Sequence, residues 1–280
     1  MPKIYQRLGF GTAGLTSMKS YGSVMRLLDA AYDSGITHFD TAPLYGQGYT
    51  EELVGRFLKN KRERLTITTK FGLGVPKQLM LPAFMALPLN YYRKALNKSP
   101  SGQQMVSGPP SQSSLPYRSI KAEDVRNSFE ISLKRLRTDY LDYYFLHEGI
   151  PDFLDIEAME FLLDRKQKGY IRFLGIATGS QNILGLKQEN IACWDVLQYE
   201  AGENGKLLRE QFSGKQHFVH SCLKNIPKTG VSQAGDELTG GYQLAASAKE
   251  SGNSKVIFST RRLQVLKHNL EGFTTGMQMP

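Results

Sequence analysis

Four residues of this chain have the types and spacing to do chemistry together: Asp40, Tyr45, Lys70 and His147. A phenol ionises near a pKa of about 10 and is a poor acid at neutral pH. An ammonium beside it lowers that value, and a carboxylate beside the ammonium keeps the ammonium charged and oriented. A histidine next to the phenol can hydrogen-bond a substrate oxygen or assist proton transfer. The four together predict a tuned proton donor next to a point where an alkoxide develops, which is what carbonyl reduction by hydride requires. Singly, each has a plainer reading. Lys70 and Asp40 make a simple ion pair, and His147 is a hydrogen-bonded core histidine. The catalytic reading therefore demands a fold that brings all four to one surface.

The elements that must do so alternate along the chain. Period-two or continuous apolar runs predict strands at 7–12, 36–40, 65–71, 141–146, 171–177, 196–199, 218–221 and 255–258. Helical periodicity follows each of the first two at 21–34 and 50–59, and continues at 122–136, 156–169, 182–187, 205–211, 241–251 and 263–270. Strict alternation argues for a parallel sheet, and eight units argue for closure, so the expected fold is α/β, a single (β/α)8 TIM barrel over 1–280. In that barrel the chemistry belongs at the C-terminal ends of the strands. Asp40 ends the second strand, Tyr45 lies in the loop after it, Lys70 is near the end of the third and His147 ends the fourth. One rim then carries all four.

Residues 75–118 interrupt the alternation. They hold seven of the chain's 12 prolines and no acidic residue, and 99–114 is rich in Ser, Gly, Pro and Gln. This reads as an inserted loop after the third strand, too proline-broken for a core of its own. It is expected to fold over the mouth as a lid, with Leu79, Met80, Phe84 and Met85 lining an apolar pocket. A partner-docking or membrane-surface segment and plain disorder are the alternatives.

Composition narrows the class. In 280 residues, 40% hydrophobic content suffices for a full core without staples. Neither Cys193 nor Cys222 sits in a CxxC or Cys/His cluster, so structural zinc and a disulfide framework are not expected and no metal site is predicted. The same usage predicts a reducing, cytoplasmic setting. The sequence opens directly on a globular pattern with no secretion signal, and no run of about 18 apolar residues predicts a membrane span. The net charge of +9 raises nucleic acid as a partner, but no basic stripe interleaved with aromatics supports it. The excess is assigned to solvated surface and a site for an anionic cofactor. Oligomeric state is not readable.

Gly9-Phe10-Gly11-Thr12-Ala13-Gly14 matches GxGxxG, with Asp40 downstream, which alone would suggest a dinucleotide site on a doubly wound sheet. The preceding residues 2–7 are not a buried apolar strand, and helical periodicity starts only near Tyr21, so this reading is set aside. A second candidate is 256–263, Val-Ile-Phe-Ser-Thr-Arg-Arg-Leu, where a strand meets a helix N-terminus with hydroxyls and two arginines. Backbone amides there bind phosphate and arginine adds a bidentate clamp.

With these residues in place, the sequence resembles the aldo-keto reductases. The likeness rests on Gly35-Ile36-Thr37-His38-Phe39-Asp40-Thr41-Ala42-Pro43-Leu44-Tyr45-Gly46, on Glu51 to Arg56, on Thr69-Lys70 and on Leu141-Asp142 through His147. The resemblance implies that Asp40, Tyr45, Lys70 and His147 form the catalytic tetrad. It implies a nicotinamide cofactor held by Gly11, Thr12, Asp40, Thr178, Gln198, His220, Ser221 and Leu223. Ser259, Thr260 and Arg261 would take a 2′-phosphate and Asn269 the adenine, which favours NADPH over NADH. The implied partner is a small-molecule aldehyde or ketone. Oxidation of a sugar or similar alcohol, and a non-catalytic NADPH-binding relative, are the alternatives. Two positions depart from the family pattern. Ala177-Thr178 stands where Ser-Asn is usual, and His220 where a tyrosine commonly stacks on the nicotinamide.

Overall fold

The computed structural model describes residues 3–74, 83–96, 119–224 and 236–279. Eight parallel strands close into a ring in sequence order: β1 (Leu8–Gly11), β2 (His38–Asp40), β3 (Thr66–Phe71), β4 (Leu141–His147), β5 (Ile171–Ala177), β6 (Val196–Glu200), β7 (Gln216–His220) and β8 (Lys255–Phe258). β8 returns to β1 through Leu8 opposite Val256 and Phe10 opposite Phe258, so no edge is left open. The expected (β/α)8 barrel is the fold observed. All seven residues of β4 are buried, as a parallel strand covered on both faces must be. Tyr143, Phe145, Ala177, Val196, Phe218 and Ile257 pack together inside the ring, while the larger core lies between strands and helices.

The helices form where apolar residues recur on one face. In α1 (Tyr21–Asp33) the buried Val24, Leu27, Leu28 and Ala31 sit at helical spacing. Ser20 caps its start by accepting from the Ser23 amide at 3.2 Å, and Gly35 at φ 103° follows its end. α2 (Tyr49–Phe57), α3 (Ala83–Leu96), α4 (Ala122–Leu136), α5 (Ile156–Gln167), α6 (Ser180–Leu184), α7 (Gln188–Ile191), α8 (Asn204–Gln211), α9 (Thr239–Glu250) and α10 (Leu263–Gln278) complete the set. α2 and α4 meet at Gly55, where a Cβ would lie 2.2 Å from the Arg135 carbonyl oxygen. That oxygen and the Leu136 backbone beside it cannot give way, so Gly55→Ala is expected to force the helices apart and destabilise the protein by about 2–3 kcal/mol. Chemical denaturation of the variant checks this; an unchanged midpoint contradicts it.

Three stretches differ from the sequence reading. Residues 83–96, expected as loop, form α3 although Pro88 stands inside it. Ala83, Ala86 and Leu87 are buried at three- and four-residue spacing, and that burial outweighs the hydrogen bond that Pro88 cannot donate. Phe84 and Met85 are 49% and 45% exposed; Leu79 and Met80 lie outside the described residues. The last helix, expected to stop near 270, continues to Gln278 because Phe273 and Gly276 pack on α9. The single helix expected at 182–187 is two short ones, broken at Gly185.

Candidate active site

The C-terminal rim gathers the tetrad. β2 and β3 pair with Asp40 opposite Thr68, and β3 and β4 pair with Lys70 opposite Phe145, which aims the three strand ends at one mouth. Lys70 is 2% exposed; its Nζ donates to Asp40 Oδ1 at 2.7 Å, to the Thr41 carbonyl at 2.9 Å and to the Tyr45 hydroxyl at 3.4 Å. The Tyr45 and His147 rings meet edge to face, with centroids 6.0 Å apart. Gln198 on β6 donates from Nε2 to Asp40 Oδ2 at 2.9 Å, so both carboxylate oxygens are held. All four residues converge as expected.

The electrostatics correct one expectation. Burial raises the Tyr45 phenol, Lys70 beside it pulls the other way, and the net direction is up. The charge of Lys70 alone, which the sequence shows, predicts the opposite direction. Tyr45 is half-buried, so a ligand that covers it further adds to the same effect. The phenol is therefore fully protonated at neutral pH and holds a proton to give. Burial lowers Lys70, but Asp40 and Tyr45 beside it more than offset this, and the ammonium is held above its ordinary value. Burial, then the charge of Lys70, keeps His147 well below the usual histidine range. His147 is a neutral imidazole here, suited to polarising a substrate oxygen and not to supplying the proton.

The predicted cofactor residues fall into three groups. At the barrel centre, Thr12 is fully buried and its hydroxyl donates to the Asp40 carbonyl at 2.8 Å, so its side chain supports β2. Gly11 abuts the end of β8, where a Cβ would touch the Phe258 carbonyl and Ser259 at 3.5 Å. Around β5 to β7, Thr178 is buried and its hydroxyl accepts from Asn182 at 3.0 Å. His220 bonds Ser221 Oγ at 2.8 Å, and burial pushes its imidazole down to about 4, so it too is neutral. β7 ends at His220, one residue earlier than expected, which leaves Ser221 in the left-handed region at φ 63°. Leu223 packs against the main core.

The third group lies after β8. Ser259 and Arg261 are exposed beside the start of α10, whose first turn has no acidic residue and whose N-cap Arg262 makes no side-chain cap bond. Thr260 Oγ1 accepts from the Arg262 amide at 3.2 Å. The Arg261 stem lies over Gly14, where a Cβ would come within 3.3 Å, so the β1 and β8 loops meet there. First-turn amides of α10 that Arg262 leaves uncapped and the exposed Arg261 guanidinium fit a phosphate. Asn269 is instead 3% exposed, with its amide oxygen against Gly240 of α9.

Sequence reasoning missed two polar groups. Asn182 stands four residues after Thr178, one helical turn on, and places an amide where Thr178 alone lacks one. Glu200, at the end of β6, accepts from the Ser180 hydroxyl at 2.6 Å and from its amide. Position at a strand end is the signal for Glu200; Asn182, inside α6, carries none beyond its helical spacing from Thr178.

A model of the Aldo/keto reductase family matches residues 7–198, well over half of the chain, and ends before the loop after β8. An uncharacterized oxidoreductase of Bacillus subtilis is 30% identical over 187 residues, 66% of this chain and 49% of that protein. Pyridoxal 4-dehydrogenase of Microbacterium luteolum is 34% identical over 147 residues, 50% of this chain and 39% of that one. The chain thus aligns with about half the length of these curated relatives. Among solved structures, the holo form of an aldo-keto reductase from Bacillus halodurans shares the fold at TM-score 0.63 and 21% identity, covering 95% of this chain and 86% of that one. An aldo-keto reductase from Klebsiella pneumoniae in complex with NADPH does so at TM-score 0.61 and 18% identity, covering 95% and 85%.

Proposed function

The chain belongs to the aldo/keto reductase family, and from that premise we propose that it reduces an aldehyde or ketone to an alcohol with NADPH, Tyr45 giving the proton. The observation that carries this is the Lys70 ammonium, which touches both Asp40 and the Tyr45 hydroxyl at the mouth where His147 also stands. A bound nicotinamide would supply the hydride. Asp40 keeps Lys70 charged, and Lys70 compensates the phenolate as Tyr45 Oη passes its proton to the developing alkoxide. Neutral His147 orients the carbonyl oxygen toward that hydroxyl. Gln198, Thr178 and Asn182 would hold the carboxamide of that nicotinamide, Gln198 by exchanging its bond to Asp40. His220 offers a neutral ring to stack on. Comparing NADPH and NADH in a fluorescence titration, followed by a panel of carbonyl compounds, tests the reading; no binding of either cofactor would remove it.

Ser259, Thr260 and Arg261 are assigned to the 2′-phosphate. Arg261→Ala is expected to weaken NADPH binding about 10- to 100-fold, the worth of a charge-assisted bidentate contact, and to leave NADH unchanged. Equal losses for both cofactors contradict the assignment. A relative named pyridoxal 4-dehydrogenase supports a second reading, the same chemistry run toward oxidation of an alcohol. Turnover of NADP with alcohols set against NADPH with carbonyls separates the two. A lid over the mouth remains part of the proposal, resting now on the exposed Phe84 and Met85 of α3, since 75–82 and 97–118 lie outside the described residues. Phe84→Ser with Met85→Ser is expected to raise KM for apolar carbonyls several-fold, by loss of about 1–2 kcal/mol of apolar burial, with NADPH affinity unchanged. Unaltered KM across the panel sinks the lid.

A further inference from the structure

The end of the barrel remote from Tyr45 holds a cavity apart from the candidate active site. This cavity, of about 740 Å³, opens at the N-terminal ends of β4, β7 and β8, and it reaches the interior aromatics Tyr143 and Phe218. That volume lies in the range of small-molecule sites, roughly 300–1,000 Å³. Four cations line it, Arg7, Arg209, Lys215 and Lys255, each half-buried; the one carboxylate among the lining residues, Glu250, is exposed.

None of the four forms an ion pair among the described residues. Arg7 donates to the carbonyls of Ala248 and Gly252, Arg209 to that of Glu250, Lys215 to that of Ala192 and Lys255 to that of Gln6. Carbonyls satisfy single N–H groups but neutralise no charge, and each cation has further donors to offer. The segments outside the described residues contain no Asp or Glu. Lys255 shows the consequence: burial pushes its ammonium down to about 8. It begins β8, beside Phe218 on β7, with its Nζ 6.0 Å from that ring's centroid. His217 adds no charge, since burial lowers it.

We propose that this cavity binds the phosphate group of a small phosphorylated compound, with Arg7, Arg209, Lys215 and Lys255 as the oxyanion's partners and the Tyr143–Phe218 floor under its organic part. A phosphate is the ligand chemistry that a cavity lined by four cations and a single, exposed carboxylate recognises, and arginine's planar fork suits it. The site lies across the barrel from the loop after β8, so it is separate from any phosphate held there. Nothing in the assignment depends on the reaction proposed for the other end.

The test is calorimetric titration of the whole chain with inorganic phosphate and with pyrophosphate, at constant ionic strength set with chloride. The expected result is saturable binding, tighter for pyrophosphate. Lys255→Met and Arg209→Gln should each weaken it about tenfold or more, the loss of one charge-assisted hydrogen bond. Arg261→Met, at the other end, should leave it intact. Should Lys255→Met not fold, Lys215→Met carries the same expectation from the surface side. Absence of saturation overturns the proposal. So does binding that Arg261→Met removes and the cavity variants retain, which would place the oxyanion at the start of α10.

Discussion

Tyr45→Phe is expected to cut turnover about 10³- to 10⁴-fold while NADPH binds as before, because general acid catalysis by one positioned group contributes on that scale. The variant removes one oxygen. The ring that meets His147 edge to face stays, as does the Lys70–Asp40 pair at 2.7 Å, so binding and fold should be intact. A structural tyrosine would give the opposite pattern, with altered stability and little change in rate. The pH dependence separates the donors further. Burial raises Tyr45 and lowers His147, so the reduction rate should show no inflection near the usual histidine pKa of about 6.5 and should fall only as pH rises through the phenol's own, raised value. A loss of rate centred on neutral pH would transfer the proton donor's role to a histidine.

Asp40→Asn should be the most damaging change to stability in the site. It leaves the Lys70 ammonium, 2% exposed, without its carboxylate, and breaking one half of a buried pair typically costs about 3–5 kcal/mol. The sign with pH follows from Lys70. In the native chain its value is raised above the unfolded one, so the pair stabilises fully below the ordinary lysine range and the benefit is lost as pH rises through the raised value. Without Asp40, burial prevails and the folded value drops below the unfolded one. The variant's deficit is then largest at neutral pH and shrinks as pH climbs through the lysine range. Turnover should fall too, since a neutral amine no longer compensates the phenolate. Denaturant midpoints measured from pH 7 to pH 10 check this; a deficit that is small or independent of pH contradicts it.

The barrel and the rim were legible because they rest on local signals. Apolar runs such as Leu141–His147 and the Val24, Leu27, Leu28, Ala31 stripe carry their periodicity in the sequence. Once the strands are counted, closure and the rule of C-terminal ends place Asp40, Lys70 and His147 together. What was not legible depends on packing between distant segments. α3 exists because Ala83, Ala86 and Leu87 bury against the barrel's helices, and the prolines around them give no hint of it. The end of α10 is set by its fit to α9, through glycines whose spacing is silent until the two helices are side by side. The direction of the Tyr45 shift is a balance of burial against one charge, and the sequence names the charge without showing the burial.

The most direct test is a single turnover. Wild-type protein and Tyr45→Phe are each loaded with NADPH and mixed with excess aldehyde, and cofactor oxidation is followed in time. The account predicts that the wild type consumes its bound NADPH while the variant, equally loaded, keeps it. Equal consumption by both would contradict it, and so would a wild type that binds NADPH and oxidises none.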